Sequence, residues 1–276
     1  MAKSPRRAYM ASEMSDIMTP IALTSRAVVR VSGEDWRPFL QNLLTNDVDG
    51  LAVGEARFTA LLTPQGRLLY DLFVIAQADG ALLDVEATWR DALIQRLTLY
   101  RLRAKVAIEP IDLAVSAVLT NPSPQAVIVR DPRLAELGWR AYGEPADRSE
   151  ADYDVHRLAL GVPGPADWGT DKTYPIEANF DLLQGIDFQT GCFIGQETTS
   201  RMKRRGQIKT RMLPINYAGT QLAPGTEILA GTLRAGEVLS GVDGRSMASL
   251  RLDRIEAADL TADGRTVSVD RPGWLS

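Results

Sequence analysis

The chain has 276 residues, of which 45% are hydrophobic and 24% are charged, a balance typical of a globular protein with a substantial buried core. Lysine and arginine total 31 against 35 aspartate and glutamate residues, so the net charge of -4 argues against a protein that coats DNA. With one cysteine, Cys192, and one histidine, His156, the chain can form no intrachain disulfide, and it cannot alone supply the ligands of a usual structural zinc or iron–sulfur site.

The N-terminal stretch, residues 1–20, is predicted to be a disordered extension. Its basic residues are followed by no continuous apolar region, so it does not resemble a secretory signal. No apolar run elsewhere approaches the roughly 20 residues that a membrane span needs. With a free thiol and no export signal, the sequence predicts a cytoplasmic protein that acts neither at a membrane nor on DNA.

Residues 21–210 are predicted to form an α+β region of two interleaved modules. Strands are predicted at 26–31, 56–63, 67–77, 81–87, 104–109, 113–119 and 126–130, and the turn at 64–66 joins two of them in a hairpin. Amphipathic spacing predicts helices over 36–44, 89–100 and 152–161. Because strands and helices do not alternate as strict βαβ units, the sheet is expected to be largely antiparallel. From about residue 211, short apolar runs alternate with Gly-containing turns, which predicts a small all-β barrel or sandwich over 211–276.

The stretch around the single cysteine is the densest in chemistry-bearing residues. Gly191 and Gly195 bracket Cys192, which indicates a tight backbone path that presents the thiol or lets a ligand approach. Six cations follow within eleven residues, and they are Arg201, Lys203, Arg204, Arg205, Lys209 and Arg211. Two interpretations stay open: a reactive thiol whose thiolate these cations favour, or a buried structural cysteine that precedes a solvated charged strand.

Asp71 is the one charged residue on a predicted strand that is apolar on both faces. Such a carboxylate either lies at a ligand-binding cleft or forms a structural ion pair. Asp84 and Glu86 instead alternate with apolar residues, which is typical of a half-exposed strand, so the pattern gives them no function. Glu177 lies early in a helix predicted from Pro175, where capping explains an acidic residue without a ligand.

These segments resemble the YgfZ family, the folate-binding relatives of the glycine cleavage T-protein, an aminomethyltransferase. The family signature Lys-Gly-Cys-aromatic-x-Gly-Gln-Glu is matched closely by 191–197, and Arg201 with Arg205 continues it. The resemblance runs from about residue 22 to residue 255, and its further segments are 40–47, 61–67, Asp71, 100–103, Pro175 with Glu177, and 250–253. Two positions depart from the pattern: Thr190 replaces the family lysine, and Ala159 replaces a T-protein glutamate near the folate.

The resemblance implies a T-protein-like cloverleaf of three modules, with ferredoxin-like α+β modules and a C-terminal β-barrel around a central hole that binds tetrahydrofolate or a one-carbon or polyglutamyl derivative. It implies a role in assembling or maintaining iron–sulfur proteins, with cluster-assembly proteins as partners and an indirect effect on tRNA modification. By this matching Cys192 is the candidate catalytic residue. The candidate folate-binding residues are Asp71, Glu177, Gly191, Gly195, Gln196, Glu197, Arg201, Arg204 and Arg205, and the cations among them are expected to hold the glutamyl tail.

Two other functions remain open at this point. Asp71 is compatible with a folate-dependent aminomethyl transferase, although Ala159 and the cysteine motif oppose that activity. The basic segment 201–211 is compatible with direct tRNA binding, although the acidic total and the lack of interleaved aromatic residues oppose it.

Overall fold

The computed structural model describes residues 19–120, 127–143, 145–206, 208–256 and 259–275. The extension predicted at 1–20 lies outside these residues except for Thr19 and Pro20. In this described part, no helix is long and apolar enough to cross a membrane. Three β-sheets with short flanking helices confirm the predicted α+β fold with a C-terminal barrel.

The strands are β1 Ile21–Ala22, β2 Arg26–Ser32, β3 Ala56–Leu62, β4 Leu68–Gln77, β5 Gly80–Glu86, β6 Ala107–Ile111, β7 Val115–Val118, β8 Val127–Arg130, β9 Trp139–Tyr142, β10 Thr210–Tyr217, β11 Glu227–Ala230, β12 Leu233–Val242, β13 Arg245–Arg251, β14 Leu260–Ala262 and β15 Arg265–Val269. The helices are α1 Trp36–Gln41, α2 Arg90–Arg101, α3 Glu150–Ala159, α4 Pro165–Trp168 and α5 Gln196–Arg205.

The first sheet has five antiparallel strands in the order β3-β4-β5-β2-β6, and both of its faces are covered. The face that carries Leu72 and Val74 packs against α1 and α2. The opposite face carries Phe73 and Ile75 and joins a core shared with the rest of the molecule. Because Asp71 alternates with Leu72 along β4, it lies on this shared face.

The second sheet and the barrel complete the shared core. The second sheet has the order β1-β7-β9-β8, so its first strand precedes the whole of the first sheet in the chain. The barrel is closed in the order β10-β13-β12-β11-β14-β15. Ala117 from the second sheet and Met212 and Met247 from the barrel are buried in the same cluster as Phe73. The three modules therefore meet at one interface.

Three local predictions are corrected, the first two because of competing backbone contacts. α1 ends at Gln41 rather than near residue 44, because Leu44 pairs with Leu61 and the Thr45 amide donates to the Ala60 carbonyl. The segment from Pro175 forms turns instead of a helix. There Asn179 has a φ of 62° and the Glu177 carbonyl accepts from the Met212 amide, 2.8 Å away. The basic run after Cys192 is expected to be a strand if it is only a solvated surface, but its first part lies on the helix α5, and only Arg211 at its end lies on the strand β10.

The loop before α5 packs closely on the β3–β4 hairpin, where Gly195 of the loop meets Gly66 of the hairpin turn. Gly195 has a φ of 79°, and a Cβ atom there would lie 2.7 Å from the Thr63 carbonyl oxygen and 2.8 Å from the Gly66 Cα. Gly191, four residues earlier, has open space where its Cβ would be. The contact at Gly195 therefore fixes the end of the loop, while Gly191 is unconstrained.

We expect Gly195→Ala to destabilise the fold by about 1–3 kcal/mol, since both the backbone conformation and the contact distance exclude a side chain. Gly191→Ala is the matched control and should change the free energy of unfolding by less than about 0.5 kcal/mol. Urea unfolding of the two variants measures this difference. Equal effects would show that the loop is not seated on the hairpin as described.

Candidate functional site

A buried network of charges connects the first sheet to the second. Asp84 on β5 is fully buried, and its Oδ1 accepts from Arg26 Nε at 2.6 Å. Its Oδ2 accepts from Arg140 Nη1 at 2.7 Å and from the Tyr142 hydroxyl at 2.9 Å, both on β9. Arg26 also donates from Nη1 to Asp71 Oδ2 at 2.9 Å. One carboxylate thus binds side chains from β2 and β9 together.

The network continues into the second sheet. Arg133 donates to Asp131, with Nη2 and Oδ2 2.7 Å apart, and to the Tyr153 hydroxyl at 2.6 Å. Arg140 Nε donates to the same Asp131 oxygen at 3.2 Å. The Arg140 guanidinium also lies 3.7 Å from the centre of the Phe73 ring, which gives it a cation–π contact.

The buried carboxylates remain ionised because their partners outweigh the cost of burial. Burial alone raises the pKa of Asp84, but the guanidiniums of Arg26 and Arg140 lower it further than burial raises it. Arg133 and Arg140 lower the pKa of Asp131 in the same way against the effect of burial. Burial and the Asp84 charge raise the pKa of Tyr142, so its hydroxyl stays a donor.

A cavity of about 400 Å³ lies beside this network, where the modules meet. The first sheet contributes Asp71 and Phe73, the second sheet Arg140, α3 Tyr153, and the barrel Ser240. Such a volume lies within the roughly 300–1,000 Å³ of small-molecule sites. The cavity is therefore the central feature of the interface between modules.

Asp71 is only half satisfied by the protein. It is 2% exposed, and its Oδ2 accepts from Arg26. Its Oδ1 is buried and has no hydrogen-bond partner within the described ranges. Since a buried carboxylate oxygen without a donor is costly, this atom is the strongest indication of a ligand. The interpretation as an ion pair therefore applies to Oδ2 of Asp71, and the interpretation as a cleft position applies to Oδ1.

All the arginines that line the cavity are paired with carboxylates. Four arginines and four carboxylates line it, and they are Arg26, Arg133, Arg140, Arg157, Asp71, Glu86, Glu150 and Asp154. Each of the four guanidiniums forms an ion pair with a carboxylate. Three further carboxylates, Asp84, Asp131 and Asp167, are buried and bound by these arginines. The surroundings of the cavity thus hold an excess of negative charge.

Glu86 and Glu150 form an acidic rim of the cavity. Glu150 accepts from the Thr24 hydroxyl at 2.8 Å and from the Ser25 amide at 2.9 Å, and the Ser25 hydroxyl also bonds to it. Burial raises the pKa of Glu86 to about 7; Arg26 opposes the rise, and Asp71 and Glu150 add to it. Glu86 therefore exchanges its proton near neutral pH.

Cys192 is exposed, so the interpretation as a buried structural cysteine is wrong. The loop that carries it is held at both ends. Phe193 is buried in the shared core, and Gln196 Nε2 donates to the Gly191 carbonyl at 3.2 Å. On the other side, Gln41 of α1 donates to the Thr190 hydroxyl. Thr190, which replaces the lysine of the YgfZ signature, thus holds the loop to α1.

The structure divides the sequence-predicted site into two places. Asp71 lines the cavity, whereas none of the other predicted residues does. Exposed Glu197, Arg201 and Arg204 lie on α5, which follows the Cys192 loop. The side chain of Arg205 lies outside the described part of the chain. The cavity lining therefore does not support the prediction that the cations of α5 bind a glutamyl tail.

Two residues of the basic run have structural partners. Arg211 is buried and donates to both carboxylate oxygens of Asp181 at 2.9 Å. Lys203 lies 3.9 Å from Asp181 Oδ2 and over the ring of Phe188. These contacts leave Arg201 and Arg204 as the described α5 cations with no acidic partner in the described residues.

Glu177 also lies away from the cavity. Its Oε2 accepts from the Tyr174 amide at 3.1 Å, and burial raises its pKa. His156, half-buried on α3, contacts the Glu136 carbonyl through Nε2 at 2.9 Å, as expected for an ordinary packed histidine on a helix.

Sequence reasoning missed the residues that organise the cavity. Alternation along β5 predicts that Asp84 and Glu86 lie on a half-exposed strand without a function. Glu86 is indeed half-buried but lines the cavity, whereas Asp84 is fully buried. The available signal was the pairing of opposite charges: Arg26 opposes Glu86 in the β2–β5 register. Arg140 lies on β9, a strand the sequence did not predict.

Glu86 should make stability pH-dependent. Since its pKa is near 7 in the folded protein, the unfolded chain releases this proton at lower pH, and the contribution to stability is lost as pH rises through 7. We expect the stability of Glu86→Gln relative to wild type to increase from about pH 5 to about pH 8. Melting temperatures across this range measure the effect, with Glu109→Gln on exposed β6 as the control. A constant difference at Glu86 would contradict this assignment.

Comparison with known proteins agrees with the described fold. Residues 209–276 match the CAF17 C-terminal beta-barrel domain family. The glycine cleavage system aminomethyltransferase T from Bartonella henselae superposes with a TM-score of 0.77 over 95% of this chain and 88% of its own, at 17% sequence identity. At this identity the likeness shows the fold alone.

Curated relatives cover most of the chain. The human mitochondrial iron-sulfur cluster assembly factor IBA57 is 34% identical over 78% of this chain and 74% of its own length. The mouse protein of the same name is 32% identical over 93% and 85%, and the Pyricularia oryzae homolog is 30% identical over 91% and 76%. The predicted cytoplasmic location is contradicted by these relatives, which are mitochondrial by name. By identity and coverage, this chain belongs to the IBA57 family of iron–sulfur cluster assembly factors.

Proposed function

We propose that this IBA57-family protein binds tetrahydrofolate, or a one-carbon or polyglutamyl derivative of it, in the central cavity. We further propose that it supports the assembly or maintenance of iron–sulfur proteins through the exposed thiol of Cys192. The observation that carries the folate proposal is the buried Asp71 Oδ1, which lacks a donor among the described residues. An effect on tRNA modification would follow indirectly, through enzymes that carry the clusters.

The lining of the cavity fits the pterin end of a folate. A pterin ring presents several N–H donors on one edge, and a carboxylate is an acceptor at both oxygens. Phe73 and Leu23 supply apolar surface beside Asp71. With water excluded, hydrogen bonds to Asp71 Oδ1 would be stronger than at the protein surface. The chain thus supplies an acceptor and apolar contacts for a flat ring with donors along one edge.

Charge sets the orientation of the ligand. The guanidiniums that line the cavity are all paired, and the carboxylates around it outnumber them. An anionic glutamyl tail would find no free cation there and would be repelled. The ring therefore enters the cavity and the tail remains outside. Contact of that tail with Arg201 or Arg204 remains a prediction and needs the tail to reach α5.

Cys192 suits a different task from that of the cavity. One thiolate cannot satisfy the usual ligation of a cluster, so a partner must supply the remaining ligands. No group of three or more metal-binding side chains is found among the described residues. An exposed thiol in a seated loop can meet such a partner directly. We therefore assign Cys192 to contact with iron–sulfur proteins or cluster-assembly proteins.

Asp71→Asn tests the cavity. This change keeps the shape and removes the charge, and the amide presents donors where acceptors are needed, so we expect the affinity for tetrahydrofolate to fall at least tenfold in calorimetry, or about 1.4 kcal/mol. Asp79→Asn is the matched control, because Asp79 also pairs with an arginine, Arg30, but at the exposed surface.

Unchanged affinity in a folded Asp71→Asn protein would remove Asp71 from the folate site. The same preparation of wild-type protein tests the alternative activity. Release of methylene-tetrahydrofolate from an aminomethyl-lipoyl donor would show a folate-dependent transferase in place of an accessory protein.

Cys192→Ser tests the thiol. We expect the melting temperature and the folate affinity to change little, because the side chain is exposed and lies outside the cavity lining. Rescue of a cluster-dependent enzyme in a deletion strain should fall sharply, since a serine hydroxyl is a poor substitute for a thiolate ligand. Full rescue by the serine variant would remove the thiol from the function.

A further inference from the structure

An apolar groove of about 350 Å³ lies at the C-terminal end of α2, away from the central cavity. Its walls are Phe39 of α1, Leu43 just after α1, and the chain from Tyr100 to Ala104. We call this surface the α2 groove. Neither the folate proposal nor the thiol proposal uses it.

Leu102 at the edge of the α2 groove is unfavourable for the fold in two ways. It follows the last residue of α2 with a φ of 46° and a ψ of −105°, a conformation that residues with a side chain avoid. Glycine is the usual residue at this position after a helix. The leucine side chain is also 88% exposed, so it contributes almost no buried area. Stability of the isolated chain therefore does not account for a leucine here.

A second exposed leucine and a set of cations surround this position. Leu99, on the last turn of α2, is 70% exposed. Arg96, Arg101 and Arg103 are exposed, and none has an acidic partner in the described ranges. The acidic groups nearby are already engaged, since Glu34 pairs with Lys105 and Asp35 accepts from the Lys105 amide. In a chain with a net charge of -4, this surface is locally positive and apolar.

We propose that the α2 groove is a docking surface for an acidic protein segment with large apolar side chains. The groove and the two leucines accept the apolar side chains, and the three arginines pair with the carboxylates around them. A concave groove favours a protein segment over a flat membrane surface. No aromatic side chain is among the exposed large apolar residues of the described chain, which disfavours stacking of nucleic-acid bases.

α1 connects this surface to the Cys192 loop. Phe39 and Asn42 of the α1 region line the groove, and Gln41 between them donates to Thr190, two residues before Cys192. A segment seated in the groove would therefore lie against the helix that holds the loop. The docking proposal does not depend on folate binding or on the thiol chemistry.

The test uses the full chain and a displayed library of random peptides. Peptides are selected on the wild-type protein alone, and their affinity for Leu102→Gly is measured afterwards. Since glycine relieves the backbone conformation, this variant should be at least as stable as wild type. We expect enrichment of peptides that combine aspartate or glutamate with leucine, isoleucine or phenylalanine. The enriched peptides should bind Leu102→Gly at least tenfold more weakly in fluorescence polarisation.

Two controls distinguish docking in the α2 groove from nonspecific peptide binding. Leu233→Gly removes another exposed leucine, 60% exposed beside Arg234 on the barrel, and should leave peptide affinity within twofold of wild type. Replacing Arg101 and Arg103 together with glutamate should abolish binding of the acidic peptides and permit binding of their lysine-substituted counterparts.

Three results would overturn the proposal. They are the absence of enrichment, equal binding of the enriched peptides to Leu102→Gly, and Leu102-dependent binding of phosphatidylglycerol vesicles without peptide binding. The last would make the α2 groove a membrane-contact surface.

Discussion

The fully buried carboxylate of Asp84 holds the functional region together. It accepts from Arg26 on one sheet and from Arg140 and Tyr142 on another, so neither sheet satisfies it alone. Buried ion pairs contribute little when every partner is present, but removal of one partner costs about 3–5 kcal/mol. The network therefore fixes the relative position of the modules more than it adds to their stability. The cavity exists because these charged side chains meet around it.

That same network explains why one oxygen of Asp71 is left without a donor. Arg26 divides its donors between Asp71 Oδ2 and Asp84, and no described donor reaches Asp71 Oδ1. The paired arginines and the surplus of carboxylates give the cavity acceptors but no free cation. The ligand chemistry that fits is a ring with N–H donors. The exposed thiol of Cys192 lies outside this lining, so the proposed ligand binding and the proposed contact with iron–sulfur proteins use separate places.

Sequence patterns predicted the elements that depend on local periodicity. The β3–β4 hairpin, the strand of Arg26 and the closed C-terminal barrel are confirmed, and the lone charge at Asp71 marked a residue of the cavity. Asp84 was missed because alternation along β5 shows two faces but not that a second sheet covers the outer one. The predicted helix at Pro175 fails because the segment bonds to β10 instead: the Glu177 carbonyl accepts from the Met212 amide, and the Asn179 side chain donates to the Met212 carbonyl. Leu102 was missed because its significance lies in a backbone angle.

Hydrogen exchange with and without tetrahydrofolate shows where the folate binds without altering a residue. The cavity proposal predicts slower exchange in α3 and in residues 164–166, which border the cavity, and unchanged exchange in the loop at 187–195. Protection confined to 187–205, with none around the cavity, would contradict it and place the folate at the Cys192 loop.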